Sequence, residues 1–193
     1  AHTRTATEIQ IEFFIFFTSR DRILPGAIWR LRRPLYASTA VGGEFYRRLY
    51  YSSGMPADND PLCIDFVTSD QQAEALKLVL MSCPAEQRLD QVRQLLAASR
   101  RGQFSLEHLL GASRGGKLVG AAWITMQPGR TAAVWPPQLG PLEPAATADL
   151  LLAELNKIAA EHGVRLAQAL LPAHDAQSAD ILARGGFSHT ADL

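Results

Sequence analysis

The residues best suited to bind a ligand lie at positions 131–163. A run of small, branched and aromatic residues at 131–135 is typical of a buried strand, and Pro136 and Pro137 end it because proline donates no ladder hydrogen bond. After a loop, Pro144 suits the first turn of a helix with one apolar face. The unpaired N–H groups at the start of such a helix attract anions. We therefore predict a pyrophosphate site at this helix N-terminus.

The composition predicts a globular chain with a single core. The chain has 193 residues, 47% hydrophobic content and a formal charge of zero. A neutral chain without a clustered basic stripe has no field that attracts nucleic acid or anionic lipid, so we expect neither partner. Cys63 and Cys83 are too few for a disulfide framework or a four-ligand metal site. We therefore predict no metal and a reducing, cytoplasmic location.

Residues 1–54 differ in composition from the rest of the chain. They hold ten of the fifteen aromatic residues and all four tyrosines, and their eight arginines outnumber their four acids. We predict that this segment is an appendage, either poorly ordered or not native to the protein, and that the functional domain covers residues 55–193, starting near Met55. The alternative is a basic, aromatic arm that contacts nucleic acid.

The hydrophobic periodicity after residue 60 predicts the order β-α-α-β-β-β-α-β-α, followed by a cut-off strand. Glycine and proline pairs separate the elements. The predicted strands are 62–66, 107–113, 117–126, 131–135 and 164–171, and the last two helices are 144–163 and 175–184.

Three short motifs occur at the right places in this order. They are Lys-Leu-Val-Gly-Ala-Ala-Trp at 117–123, Val134 and Pro136 followed by Leu150 and Leu151, and Ala-Arg-Gly-Gly-Phe at 183–187. Together with the element order, they make residues 60–193 resemble the GNAT superfamily of acyl-CoA-dependent N-acyltransferases. The resemblance implies an α+β fold with a mixed, mostly antiparallel sheet flanked by helices. We therefore expect the domain to lack the last strands of that fold, which help to wall the acceptor site.

The resemblance also implies where acetyl-CoA, as co-substrate, would bind. In the family, the pantetheine arm lies between two splayed strands, and the pyrophosphate is held by a glycine-rich loop at the start of the central helix. Here alanines and a threonine replace the glycines, and Leu142 or Glu143 replaces the leading Arg or Gln. An acid there would repel a phosphate. The corresponding cofactor-binding residues are Ala133, Val134, Trp135, Ala145, Ala146, Thr147, Ala148 and Asp175, the last in place of an asparagine.

The catalytic residue of the family has no direct counterpart. Leu182 occupies the position of the tyrosine that protonates the leaving thiolate, and no tyrosine follows Tyr51. His174 is the candidate nearest the end of the strand at 164–171, and a histidine titrates near neutral pH. The other candidates for proton transfer are His108, His189, Ser178 and a water molecule.

The predicted function is N-acetyl transfer from acetyl-CoA to an amine, which is a small molecule or a peptide. The neutral amine attacks directly, and backbone amides of the fourth strand of the GNAT-like domain stabilise the oxyanion. The alternative is a catalytically inactive GNAT-fold module that binds acyl-CoA or a protein partner. The altered loop and the missing tyrosine favour this alternative, whereas the intact strand and helix frame favours the enzyme.

Overall fold

The computed structural model describes residues 26–31, 49–51 and 60–192, which form one eight-stranded sheet and four helices. The strands are β1 Gly26–Leu31, β2 Leu49–Tyr51, β3 Leu62–Phe66, β4 Leu109–Arg114, β5 Lys117–Gln127, β6 Thr131–Leu139, β7 Leu166–Pro172 and β8 Phe187–Asp192. The helices are α1 Gln72–Val79, α2 Ala85–Arg100, α3 Ala145–Glu161 and α4 Ala176–Arg184. From β3 onward, this order is the predicted one.

The strands lie in the order β2-β3-β4-β5-β6-β7-β1-β8. Among the described strands, β6 and β7 form the one parallel pair, and every other neighbouring pair is antiparallel. The predicted mixed, mostly antiparallel sheet is therefore confirmed. Since parallel strands need a crossover connection, α3 links β6 to β7 across one face of the sheet.

Alternation along the strands divides the core into two clusters, one on each face of the sheet. On β5, Ala122 and Ile124 belong to a cluster with the apolar residues of α3 and α4. Trp123, between them, belongs to a second cluster with the apolar residues of α1 and α2. Successive strand residues point to opposite faces, so the two helix pairs cover opposite sides of the sheet.

The β1 and β2 strands differ from the prediction of an N-terminal appendage. Gly26–Leu31 lies inside the sheet between β7 and β8, and Leu49–Tyr51 pairs with β3 at the far edge. These strands therefore belong to the same sheet as residues 60–192. The remainder of the 1–54 segment lies outside the described residues, so its prediction stays untested.

A pair of histidines lies where the approach to β4 meets the end of α3. His108 is 9% exposed, and its ring centroid is 4.7 Å from that of His162, which follows α3. His162 Nδ1 is 2.9 Å from the carbonyl oxygen of Ile158. Burial lowers the pKa of His108, the nearby carboxylate of Glu107 opposes this shift, and His162 adds to it. The native structure therefore favours a neutral His108.

Within the described ranges, none of the four helices combines the length and the apolar character needed to cross a bilayer.

Candidate functional site

The parallel strands β6 and β7 separate after three paired positions. Thr131, Ala132 and Ala133 pair with Leu166, Ala167 and Gln168. Beyond Ala133, β6 continues to Leu139 and β7 continues to Pro172 without further pairing between them. This opening, which we call the split, lies at the carboxyl ends of two adjacent parallel strands. Crevices at such ends are the usual ligand sites of open sheets that contain parallel strands.

The prediction that β6 ends at Pro136 and Pro137 is wrong, because the strand continues through them to Leu139. Trp135 pairs with Trp123 of β5, and Gln138 pairs with Ala121, so the two prolines lie opposite a single residue. This arrangement is a β-bulge, and a bulge tolerates proline because the extra residues need no ladder hydrogen bond. The prolines therefore bend β6 beside the split rather than terminating it.

The three residues predicted to contact the pantetheine arm lie at the start of the split. Ala133 is the last residue of β6 that pairs with β7, and Val134 and Trp135 follow it. Val134 joins the core cluster beneath α3, while Trp135 packs on the opposite face, stacked on Trp123 with a ring-centroid distance of 4.3 Å. The backbone of β6 turns one edge toward the split here, and the aromatic stack supports that edge from the α1 side.

The helix α3 begins beside the split with an open N-terminus. Pro144 is the N-cap residue, no side chain caps the helix, and the first turn contains no acid. Ala145 and Ala146 are exposed, whereas the side chains of Thr147 and Ala148 are buried. The predicted phosphate-binding residues therefore divide into two groups. The exposed pair lies at the positive end of the helix dipole, where the first amides have no intrahelical acceptor, and the buried pair fixes the helix to the core.

The acid predicted to repel a phosphate is neutralised by a partner distant in sequence. The Glu143 side chain is 6% exposed, and Arg114 Nε, at the end of β4, donates to both of its carboxylate oxygens at 3.2 Å, with Nη2 3.1 Å from Oε1. Thr147 Oγ1 also donates to this carboxylate, at 2.5 Å. Arg114 Nη1 donates in addition to the carbonyl oxygen of Asp60. The ion pair places a guanidinium and no net charge beside the start of α3.

The N-terminus of α4 lies at the same edge of the sheet, because it follows β7. Asp175 caps this helix, with Oδ1 accepting from the Ser178 backbone N–H at 3.0 Å. Ser178 is 1% exposed, and its Oγ accepts from Gln138 Nε2 at 2.9 Å. Asp175 Oδ2 is buried and has no hydrogen-bond partner among the described residues. A buried carboxylate oxygen of this kind can accept an N–H from a ligand.

The candidates for proton transfer are not brought together. His174 is exposed in the turn between β7 and α4, at the edge that holds the split. His189 on β8 is 2.9 Å from Asp192 Oδ1, and His108 lies in the pair with His162. Leu182, at the position of the tyrosine, is fully buried in the core. Ser178 and His174 are therefore the candidates that lie near the α4 side of the split.

Two polar residues of the site, Arg114 and Gln138, were not predicted from the sequence. Arg114 is the last residue of β4 and meets Glu143 only because the sheet brings the end of β4 to the start of α3. Gln138 follows the two prolines, where no strand was predicted. The sequence does contain one signal for such a partner, which is an acid directly before the helix proline with no partner nearby in the sequence. A buried acid at that place requires a cation.

Comparison of the sequence finds no matching family model and no matching curated relative. Comparison of the structure does find related folds. A GCN5-related N-acetyltransferase from Sphaerobacter thermophilus matches with a TM-score of 0.58 and 12% identity, over 94% of this chain and 53% of that chain. A GNAT-family acetyltransferase from Colwellia psychrerythraea matches with a TM-score of 0.54 and 12% identity, over 87% of this chain and 53% of that chain.

A shorter chain is also similar. The ribosomal-protein-alanine N-acetyltransferase from Brucella melitensis matches with a TM-score of 0.52 and 22% identity, over 66% of this chain and 85% of that chain. The chain thus spans about half the length of the first two proteins. At these identities the likeness concerns the fold, and the chain has the GNAT-superfamily fold that its motifs predicted.

Proposed function

We propose that the protein is an N-acyltransferase that binds acetyl-CoA at the split and transfers the acetyl group to an amine. One observation carries the proposal. The described parallel pair, β6 and β7, opens beside a helix N-terminus that has no cap and no first-turn acid. An extended arm fits along an unpaired strand edge, and a diphosphate fits at free helix amides. The neutralised Glu143 removes the electrostatic objection to that anion.

The chain supplies positioning and polar contacts to the reaction. The neutral nitrogen of the amine attacks the thioester carbonyl carbon, the carbon–sulfur bond breaks, and the proton lost by the nitrogen ends on the thiol. Pro136 and Pro137 carry no N–H, so an oxyanion donor on this part of β6 would come from Val134 or Gln138. His174, exposed at the same edge, remains the proposed residue for proton transfer through water.

A second function is favoured by one specific feature, the buried Leu182 in place of an acid. A chain that binds acyl-CoA without transferring the acyl group would act as a binding module. The two functions differ in one measurable respect. The enzyme releases CoA thiol when acetyl-CoA and an amine acceptor are present together, and the binding module does not. A thiol-release screen over amino acids, polyamines and peptides with free N-termini therefore separates them.

Calorimetric titration with CoA tests the anion site, and Ala146→Glu is the informative variant. Ala146 is exposed in the first turn of α3, where a carboxylate stabilises the helix by about 0.3–1 kcal/mol through the dipole. The same carboxylate would repel a diphosphate from the free amides. We expect CoA binding to weaken by about tenfold or more, equal to about 1.4 kcal/mol, while thermal stability is kept or raised.

Ala153→Glu is the matched control. Ala153 is also exposed on α3, but it lies two turns further along the helix, beyond the reach of the N-terminal amides. We expect it to leave CoA affinity unchanged. Equal affinity in both variants would refute a site at the start of α3, and absence of CoA binding by the wild-type protein would refute the proposed function itself.

A further inference from the structure

The two halves of β7 have different ladder partners. The first three residues pair with β6, as described above, but residues 169–172 face the split with that edge. Their other edge pairs with β1. The pairs are Ala169 with Trp29, Leu170 with Ile28, Leu171 with Ala27 and Pro172 with Gly26. In the part of the chain that the structure describes, β1 is therefore the one strand that holds this wall of the split.

The helix α4 depends on β1 as well. Its neighbour β8 follows it in the chain and, among the described strands, pairs with β1 alone. The helix packs against both β6 and β8, and it carries Ser178 and follows its cap Asp175. The α4 side of the split therefore rests on a strand that β1 keeps in the sheet.

Trp29, together with Leu31, attaches β1 to the core. Its side chain is half-buried, packs against the cluster that contains α3 and α4, and lies 5.6 Å from the ring of His189 on β8. Its Nε1 is buried and has no hydrogen-bond partner among the described residues. An unsatisfied donor weakens the attachment that the apolar contacts provide. Apolar contacts of Trp29 therefore stabilise the pairing of β1, and its unsatisfied N–H lowers that stability.

We propose that β1 is a positioning strand for the split, so that docking of Gly26–Leu31 and binding of acyl-CoA stabilise each other. This inference rests on the proposed function, because it assigns the ligand to the split. The coupling is reciprocal: a ligand that requires the wall at residues 169–172 in place must also favour the docked strand. The segment at the start of the chain would then control a site formed by residues more than a hundred positions later.

The test compares two large-to-small variants on opposite faces of the sheet. Trp29→Ala removes an apolar anchor of β1, while Leu95→Ala removes a buried side chain of α2 from the other core cluster. Both lower thermal stability. We expect Trp29→Ala to raise the Kd for CoA by about tenfold or more, which is within the usual range of coupling between sites. We expect Leu95→Ala to change the Kd by about twofold or less. Equal Kd changes in the two variants would overturn the positioning role.

Hydrogen exchange supplies a measurement that does not require the ligand. In Trp29→Ala, the amides of Ala169 to Leu171 and of β8 are expected to exchange faster, while those of β3 and β4 keep the protection of the wild-type protein. Unchanged protection at Ala169 to Leu171 would also overturn the proposal. Trp29→Phe, which keeps an aromatic ring without an unpaired N–H, is expected to bind CoA as tightly as the wild type.

The two proposals fail in different ways. If the wild-type protein binds no CoA, the proposed function and the coupling are both refuted, whatever the exchange data show. If the wild type binds CoA and Trp29→Ala binds it equally well, the positioning role alone is refuted. Should Trp29→Ala not fold, Ile28→Ala, opposite Leu170, takes its place in both measurements.

Discussion

Replacing either member of the Arg114–Glu143 pair is expected to change CoA affinity in opposite directions. The pair is neutral as it stands, since the positive guanidinium, whose Nε donates to both carboxylate oxygens, balances the negative carboxylate. Arg114→Gln leaves a net negative charge beside the start of α3, and Glu143→Gln leaves a net positive charge. The first variant should therefore bind CoA more weakly than the wild type, and the second more tightly.

The size of this effect follows from the distance between the charges. Glu143 contacts Thr147 in the first turn of α3, so an anion on the amides of that turn would lie about 8 Å from the carboxylate, by the dimensions of a helix. At that distance and an effective dielectric constant of about 40, two unit charges interact by about 1 kcal/mol. A diphosphate with about two charges then gives about 2 kcal/mol, or roughly 30-fold in Kd, for Arg114→Gln. The gain for Glu143→Gln should be smaller, about fivefold, because the released guanidinium is free to move.

Calorimetry at low and high salt, together with chemical denaturation, checks this prediction. The affinity differences should shrink at high salt, since the Debye length falls to about 3 Å at 1 M. Arg114→Gln should also lose stability, by about 3 kcal/mol at most, because Glu143 is left buried without its partner. The double variant should return CoA affinity toward that of the wild type. Single variants that shift affinity in the same direction would show that the pair is purely structural.

Three further predictions concern stability. Gly185→Ala should destabilise the protein by about 1–3 kcal/mol in denaturant unfolding, since a Cβ there would overlap the buried Leu152 side chain; an unchanged midpoint would contradict this packing. Leu142 has a φ of 70° and is fully exposed, so Leu142→Gly should stabilise by about 0.5–1 kcal/mol through relief of left-handed strain; a loss of stability would argue against that conformation. The native pKa of His108 lies below its usual value of about 6.5, so the unfolded state binds a proton more readily than the native state. The free energy of unfolding therefore decreases as the pH falls. The wild type should therefore lose more thermal stability than His108→Phe between neutral and acidic pH, and parallel losses would refute the assignment.

The element order and the general place of the site could be predicted because local signals specify them. The turn at Gly115 and Gly116, both with positive φ, and the continuous apolar run of β5 follow directly from residue type. The motif before β8 also has a local explanation. Gly185 packs closely on Leu152, Gly186 has a φ of 91°, and Phe187 is buried.

The strand β1 and the Arg114–Glu143 pair were not predicted because they depend on contacts between segments that are distant in the sequence. No local pattern distinguishes Gly26–Leu31 from a disordered tail, because its stability comes from pairing on both edges with β7 and β8. Similarly, Glu143 looks repulsive to an anion until Arg114, at the end of another strand, is placed beside it. The prolines of β6 misled the prediction because a bulge, unlike a regular ladder, accepts them.

The interleaving of β1 has a consequence for how the protein is made. Ala27 pairs with Asp192, which is 165 positions later in the chain. A nascent polypeptide therefore leaves this early strand incompletely paired until β7 and then β8 have been synthesised, and loop closure of that length is slow. Closure of this long loop, rather than the folding of the antiparallel meander, would then limit the rate of folding.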